Sequence, residues 1–461
     1  MMESHTEPEK KRPLAVPFLE TSPVTDLGCC LLMLPLWWIL GVEQFIWPLA
    51  FSLILVKVGA RNRWRLRIPS TARWIGLFLV VQLISSAFIV DTFRWLTFAR
   101  TFGANVAMFE LVLIVSTQVR RWSEIRFLLS CLGVTMLICA LIGLSDVIGV
   151  WRSSIPSVLG SILPTWIYET SYGGQIANRS LGAPCSFGGF VYHRINSLFM
   201  FSTMYGAAIA VTLPICFYLY ECARSRAERI LWLAAVVLNV TSLLFTTARV
   251  AALSCVIGAI CFLWRDSGFR ILVNRVAWST MFLTSIVALI WIMSGSGDSL
   301  QNFVVDSTES LLHARGQSAS HRWHVYQETI RGWSDSPIFG WGTERDVPNS
   351  PYPAGSHSYY LGILYKHGLL GLLVFFGIWA SLWRKSRPTP SLHGSPSRLL
   401  AYGRWALIAA LLNSVTDALD LDATTLVMLW IVSATLLAGS GLTTQQPMQQ
   451  YTNAEICRVR G

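Results

Sequence analysis

LGCCLLMLPLWWILGVEQFIWPLAFSLILVKVGA, residues 27–60, is apolar almost throughout, and Glu43 and Gln44 interrupt it near the middle. A helix rises about 1.5 Å per residue, so about 20 residues cross the ~30 Å hydrocarbon core of a bilayer. The run is too long for one crossing. Lys10, Lys11 and Arg12 precede it, and Arg61, Arg63, Arg65 and Arg67 follow. Short basic segments stay on the cytoplasmic side, so both ends lie there and the chain turns back near Glu43 and Gln44. A polytopic helical membrane protein is the fold this hairpin dictates.

Composition agrees. Of 461 residues, 53% are hydrophobic and only 13% charged, with mean hydropathy +0.50, which excludes an ordinary soluble domain. A net charge of +11 does not signal nucleic acid, because the basic residues gather at the ends of apolar segments and not along one face. The ten cysteines form no disulfide or metal pattern: most lie in apolar runs, and only Cys185 falls in an external loop. Residues 1–26 are polar and no small-residue cleavage site follows the first apolar run, so an uncleaved first helix is expected behind a cytoplasmic segment.

Further spans are expected near 72–90, 96–118, 127–149, 199–220, 277–294, 358–383, 404–416 and 423–441. Arg229 and Arg265 bracket another long apolar stretch, which calls for a second hairpin turning at Thr246, Thr247, Ala248 and Arg249. The expected fold is an all-α integral membrane protein of about twelve transmembrane helices, occupying residues 27–441, with both termini cytoplasmic. Arg120 and Arg121, Arg224 to Arg229, Arg265 to Arg275 and Arg384 to Arg404 then share the cytoplasmic side. Two polar loops fall outside, 151–198 and 295–356; residues 385–397 read as a flexible linker and 442–461 as a disordered cytoplasmic tail. The chain shows no internal repeat, unlike many secondary transporters.

In the longer loop, SHRWHVYQETIRGWSDSP (320–337) places Trp323, Tyr326, Ile330 and Trp333 at helical spacing. An amphipathic helix lying on the outer membrane surface is expected, with Arg322 in its first turn. There the helix dipole opposes a cation and favours an anion, so Arg322 is either a phosphate ligand or a solvated interfacial residue. Arg249, at a hairpin tip among apolar residues, faces either the bundle interior or the headgroups. Headgroup contact explains Arg194, in YHRINSLF (192–199), as well as a binding role does.

His357 opens HSYYLGILYKHGLLGLLVFF (357–376). A neutral imidazole fixed at a helix entrance can take a proton from a hydroxyl, although a lone surface histidine usually does nothing. Lys366 and His367 lie further along the same run, and the first turns are expected to follow the interface, with the span starting near Leu369. Glu110 and Asp146 suit internal pairing, and Asp417, Asp420 and Asp422 form an external acidic turn with either a structural or a cation-holding role. Asn178-Arg179-Ser180 matches a glycosylation sequon, a weak pattern.

Taken in order, these segments resemble the O-antigen ligase and O-antigen polymerase superfamily of bacterial membrane proteins. TTARVAAL (246–253) is similar to its Ser-Arg-small segment, HRWHVYQETIRGWSDSPIFGWG (321–342) to its arginine, amphipathic helix, Pro and Gly-x-Gly run, and HSYYLGILYKHGLLGLLVFF to its His-Asn-x-Tyr-Leu helix with a Gly-Leu-x-Gly-Leu centre. YHRINSLF resembles an upstream arginine segment. Ala248 stands in place of the usual serine, Ser358 in place of asparagine, and no Asn-Pro-Asn follows Arg194.

The resemblance covers residues 231–376. It implies glycan transfer from an undecaprenyl-diphosphate carrier to a glycan, lipid or protein hydroxyl at the periplasmic face of the bacterial inner membrane, without metal or cofactor. On it, Arg249, Arg322 and Arg194 bind the carrier diphosphate and His357 is the catalytic residue. A transporter or flippase of lipid-linked sugar is the alternative from another class, and a non-catalytic assembly subunit a third.

Overall fold

The computed structural model describes residues 21–150, 154–168, 171–187, 190–263, 316–348, 350, 352–387 and 395–459. The expected span at 277–294, the cytoplasmic segment before residue 21 and most of the 385–397 linker lie outside the described residues. The first hairpin forms as its charges require. Helices α1 (Pro23–Leu32) and α2 (Leu34–Leu40) make one path bent by 56°, the chain turns at Gly41, and α3 (Ile46–Arg61) returns. Lys57 near the end of α3 donates to Asp26 at the start of α1 at 2.6 Å, which ties the two ends of the hairpin together.

Helices α4 (Ser70–Ser86), α5 (Thr92–Gln118) and α6 (Trp122–Val147) continue the bundle. Residues 154–195 then leave it. Two short helices, α7 (Thr165–Tyr168) and α8 (Ser171–Ala177), sit between strands β1 (Ile155–Pro156) and β2 (Asn178–Arg179), which pair antiparallel. A hairpin of β3 (Gly182–Phe187) and β4 (Phe190–Ile195) follows, with Ala183 opposite Arg194. Small antiparallel sheets therefore interrupt an otherwise all-helical fold.

The remaining helices are α9 (Ser202–Glu221), α10 (Arg226–Thr246), α11 (Arg249–Leu263), α12 (Gly316–Ser334), α13 (Tyr359–Lys385), α14 (Ser395–Thr416) and α15 (Ala423–Val459). α9 is almost entirely buried and packs against α6, α10, α14 and α15. The second hairpin turn is present: Thr247 is left-handed, at φ 51°, between α10 and α11. α15 stays helical beyond Leu442, where composition predicts a disordered tail.

Among the described residues, seven helices are long and apolar enough to cross a membrane, or eight if the bent α1–α2 pair is one span. α3, α4 and α11 are shorter, at 16, 17 and 15 residues. The chain is a multi-pass, mainly helical membrane protein. Its two ends differ in their charges. At one, Arg126 of α6 pairs with Glu228 of α10, and Arg398 of α14 lies 3.6 Å from Glu221 of α9, so basic helix ends collect there. At the other, Glu43 in the first hairpin turn pairs with Arg179 at 2.6 Å, and Asp146 at the end of α6 pairs with His193. The asparagine sequon thus places a buried, ion-paired arginine at its centre.

α13 is not one continuous helix. Gly368 has φ 65° and ψ −168°, and the loop after α12 fills the break. Trp341 and Gly342 N–H groups donate to the carbonyls of Tyr365 and Lys366 at 3.0 and 2.7 Å, while Leu369 and Leu370 N–H groups donate to Pro337 and Ile338 at 2.8 and 3.3 Å. The orphan backbone groups of the break are thus satisfied by a neighbouring loop, as burial requires. Glycine is needed at both partners: Gly340 is left-handed, and a Cβ there would stand 2.5 Å from the Tyr365 carbonyl, while one at Gly368 would collide with Ile338.

Candidate active site

His357 precedes α13, whose N-cap is Ser358; the Ser358 side chain accepts from Leu361 N–H at 3.4 Å. Serine and asparagine cap helices almost equally well, so the serine keeps the local structure that an asparagine there would give. His357 itself is left-handed at φ 62°, and its carbonyl accepts from Tyr326 Oη at 2.9 Å. The Tyr352 ring packs edge-on against the imidazole, with centroids 4.4 Å apart. Among the described residues, the buried Nε2 has no hydrogen-bond partner. Burial first, and the Arg322 cation second, push the imidazole down to about 4, so it is neutral near pH 7.

Arg322 comes from α12, which starts at Gly316, so it lies in the second turn and not the first. The expected support from the start of its own helix therefore fails. Its partner is instead another helix's far end: Nη1 donates to the carbonyl of Thr416, the last residue of α14, at 3.4 Å. Arg194 repeats the arrangement, with Nε donating to the carbonyl of Thr246, the last residue of α10, at 2.8 Å. Cations are favoured at helix C-termini, where unpaired carbonyls point outward. Arg194, the least specific of the four residues in sequence, is thereby tied to the hairpin tip that carries Arg249.

Asp417 follows Thr416 and feels both cations. Burial pushes its carboxyl up to about 6, and Arg322 and then Arg194 oppose that rise. Around it gather Arg194, Arg322, His357 and Tyr326, from three separate parts of the chain. Arg249 opens α11 three residues beyond Thr246 and is exposed, unlike Arg194 and Arg322, which are half-buried. Ala248 beside it is buried against Gly206 of α9.

The sequence did not single out Tyr326 for the site, although it lies one helical turn after Arg322, a spacing that puts both on one face. The buried face of α12 is not its apolar stripe. Val325 and Thr329 are its buried residues, while Trp323 and Ile330 are 63% and 50% exposed. Lys366 and His367, expected along the interface, are buried beside the break in α13. Lys366 pairs with Asp420 and lies 3.5 Å from Glu344; His367 Nε2 meets Gln82 Nε2 at 3.2 Å. Asp422 accepts from Gln44 at 2.6 Å and from the Thr425 hydroxyl, also at 2.6 Å, at the start of α15. The three aspartates of the acidic turn thus face separate partners within the protein. Among the described residues, no group of three or more His, Cys, Asp or Glu side chains is placed to hold a metal ion.

Two half-buried cations, each resting on a helix end, stand near a neutral imidazole in a multi-pass membrane protein, an arrangement suited to anionic and hydroxyl groups. Residues 234–376 match the family model O-antigen ligase, and this segment supports the resemblance to the O-antigen ligase/polymerase superfamily. The match includes Arg249, Arg322 and His357 but not Arg194. No curated protein matches the chain.

Proposed function

We propose that this protein transfers a glycan from an undecaprenyl-diphosphate carrier to a hydroxyl acceptor at the periplasmic face of the bacterial inner membrane, as a polymerase or ligase. Arg322, Arg194 and Arg249 hold the diphosphate, and His357 activates the acceptor. The acceptor oxygen attacks the anomeric carbon while its proton passes to His357. The bond from that carbon to the carrier phosphate breaks, and the diphosphate leaves with the electron pair. Negative charge grows on the diphosphate in the transition state, where guanidiniums already in place stabilise it more than they stabilise the ground state. In this role they replace a divalent cation, and a chelator should leave the rate unchanged.

The observation that carries the reading is a neutral imidazole whose buried Nε2 lacks a partner among the described residues, held beside Arg322. A diphosphate bound at Arg322 offsets the charge that depresses His357, so carrier binding itself strengthens the base. The test is reconstitution of purified protein with undecaprenyl-diphosphate glycan and candidate acceptors. A new glycosidic bond made by the wild type and not by His357→Ala is the expected result. Lipid movement across the bilayer with no new bond would replace this reading with a flippase.

A further inference from the structure

A cavity of about 300 Å³ opens at the His357 end, between the turn joining α4 to α5 and the loop that follows the break-filling segment. Phe88 and Val90 form one lip, Asp91 and Arg94 lie at the start of α5, and Trp341 and Arg345 close the far wall. The cavity is separate from the His357 site, but the walls are joined: Ala354 N–H, three residues before His357, donates to the Arg345 carbonyl at 2.7 Å.

Two guanidiniums line this one space. Arg345 lies over the Trp341 ring, 3.5 Å from its centroid, and Arg94 donates to the Glu344 carbonyl. The carboxylates near Arg94 are Asp346 at 3.2 Å and Asp91 at 3.6 Å, with side chains 96% and 52% exposed. Exposed pairs of that kind contribute little, so the two cations are poorly compensated where they face the cavity. A phosphate between them would accept from both planar forks. The lip is of opposite character. Val90 is 93% exposed and Phe88 40% exposed, which leaves an apolar lip beside the cations. A ligand anionic at one end and apolar at the other meets both demands.

We propose that this cavity binds the phosphate of a membrane phospholipid, with Arg94 and Arg345 on the headgroup phosphate and Phe88 and Val90 along the start of the acyl chains. The assignment stands whether or not the glycan-transfer reading does.

The test is native mass spectrometry of the full chain in detergent with phosphatidylglycerol, diacylglycerol or inorganic phosphate added. Wild type should retain phosphatidylglycerol but not diacylglycerol, and Arg94→Gln/Arg345→Gln should retain at least about tenfold less. Val90→Glu should weaken retention similarly, by setting a carboxylate at the lip, with an unchanged melting temperature because the side chain is exposed. Undiminished retention in both variants would overturn the site, as would retention of diacylglycerol equal to that of phosphatidylglycerol. Inorganic phosphate bound through the same arginines, with no preference for lipid, would overturn the phospholipid and leave a free-phosphate site.

Discussion

Two groups of charges at the same end of the bundle are built in opposite ways. Lys366 is buried between Asp420 and Glu344, so its charge meets formal negative charges inside the protein. Arg322 and Arg194 rest on the carbonyls of Thr416 and Thr246 and share the field of Asp417. Carbonyl ends supply only partial charge. The first group is compensated and serves to hold α13 to the turn before α15; the second keeps an appetite for an anion. Charge alone does not mark a site, since both groups have it; they differ in burial, Lys366 being buried and Arg322 and Arg194 half-buried. They differ also in the balance of full charges: Lys366 lies between two carboxylates, whereas the field of one carboxylate, Asp417, reaches both Arg322 and Arg194.

The comparison can be broken in graded ways. Lys366→Met should be the most damaging to the fold, because it strands buried Asp420; a loss of about 3–5 kcal/mol is expected in thermal or denaturant unfolding, largely restored by the paired change Lys366→Met/Asp420→Leu. A single change that leaves stability intact would show that the compensated group is not structural. His357→Ala should lower turnover at least about 100-fold with little effect on melting, read in the reconstituted transfer assay. Arg322→Gln should also cost about 100-fold, mainly in kcat, because its contribution grows as the diphosphate departs. Equal losses for Arg322→Gln and Lys366→Met in both assays would erase the distinction.

The pH response sharpens it further. His357 sits at about 4 in the fold against 6.5 normally, so the acid limb of kcat/KM should lie near that lower value. Arg322→Gln removes one of the two causes of the depression and should move the limb upward. Between those two pH values the unfolded chain binds the extra proton, so this group's contribution to stability should fall as pH drops through that window, an effect absent in His357→Ala. The smallest effect is at the cap: Ser358→Ala should cost about 1 kcal/mol of stability, and Ser358→Asn almost none.

Much of the bundle was legible because its determinants are local. Length and flanking charge fixed both hairpins, with their turns at Gly41 to Phe45 and at Thr247, without any knowledge of tertiary contacts. The sheets of residues 154–195 were not legible, since β1 and β2 pair across two intervening short helices. At Gly368 polar Lys366 and His367 give way to an apolar run, a change that reads in sequence as the start of the span and not as a break in a longer helix; the loop from Pro337 to Gly342, which satisfies the break, is supplied from elsewhere in the chain. Arg322 was placed correctly on a helix but given the wrong electrostatic partner, because α12 begins earlier than its apolar pattern does and Thr416 is remote in sequence. Asp417 could be seen as an acidic residue outside a span, but not as the neighbour of two distant arginines.

The splice at Gly368 has a consequence for how such a chain can vary. Its four hydrogen bonds run from main chain to main chain, so they are indifferent to the identity of Phe339, Trp341 or Leu369, while a methyl group on Gly368 would jam the joint. Neighbouring side chains are free to drift toward new substrates while the two halves of α13 stay in register, with the glycines acting as hinge pins that evolution cannot exchange.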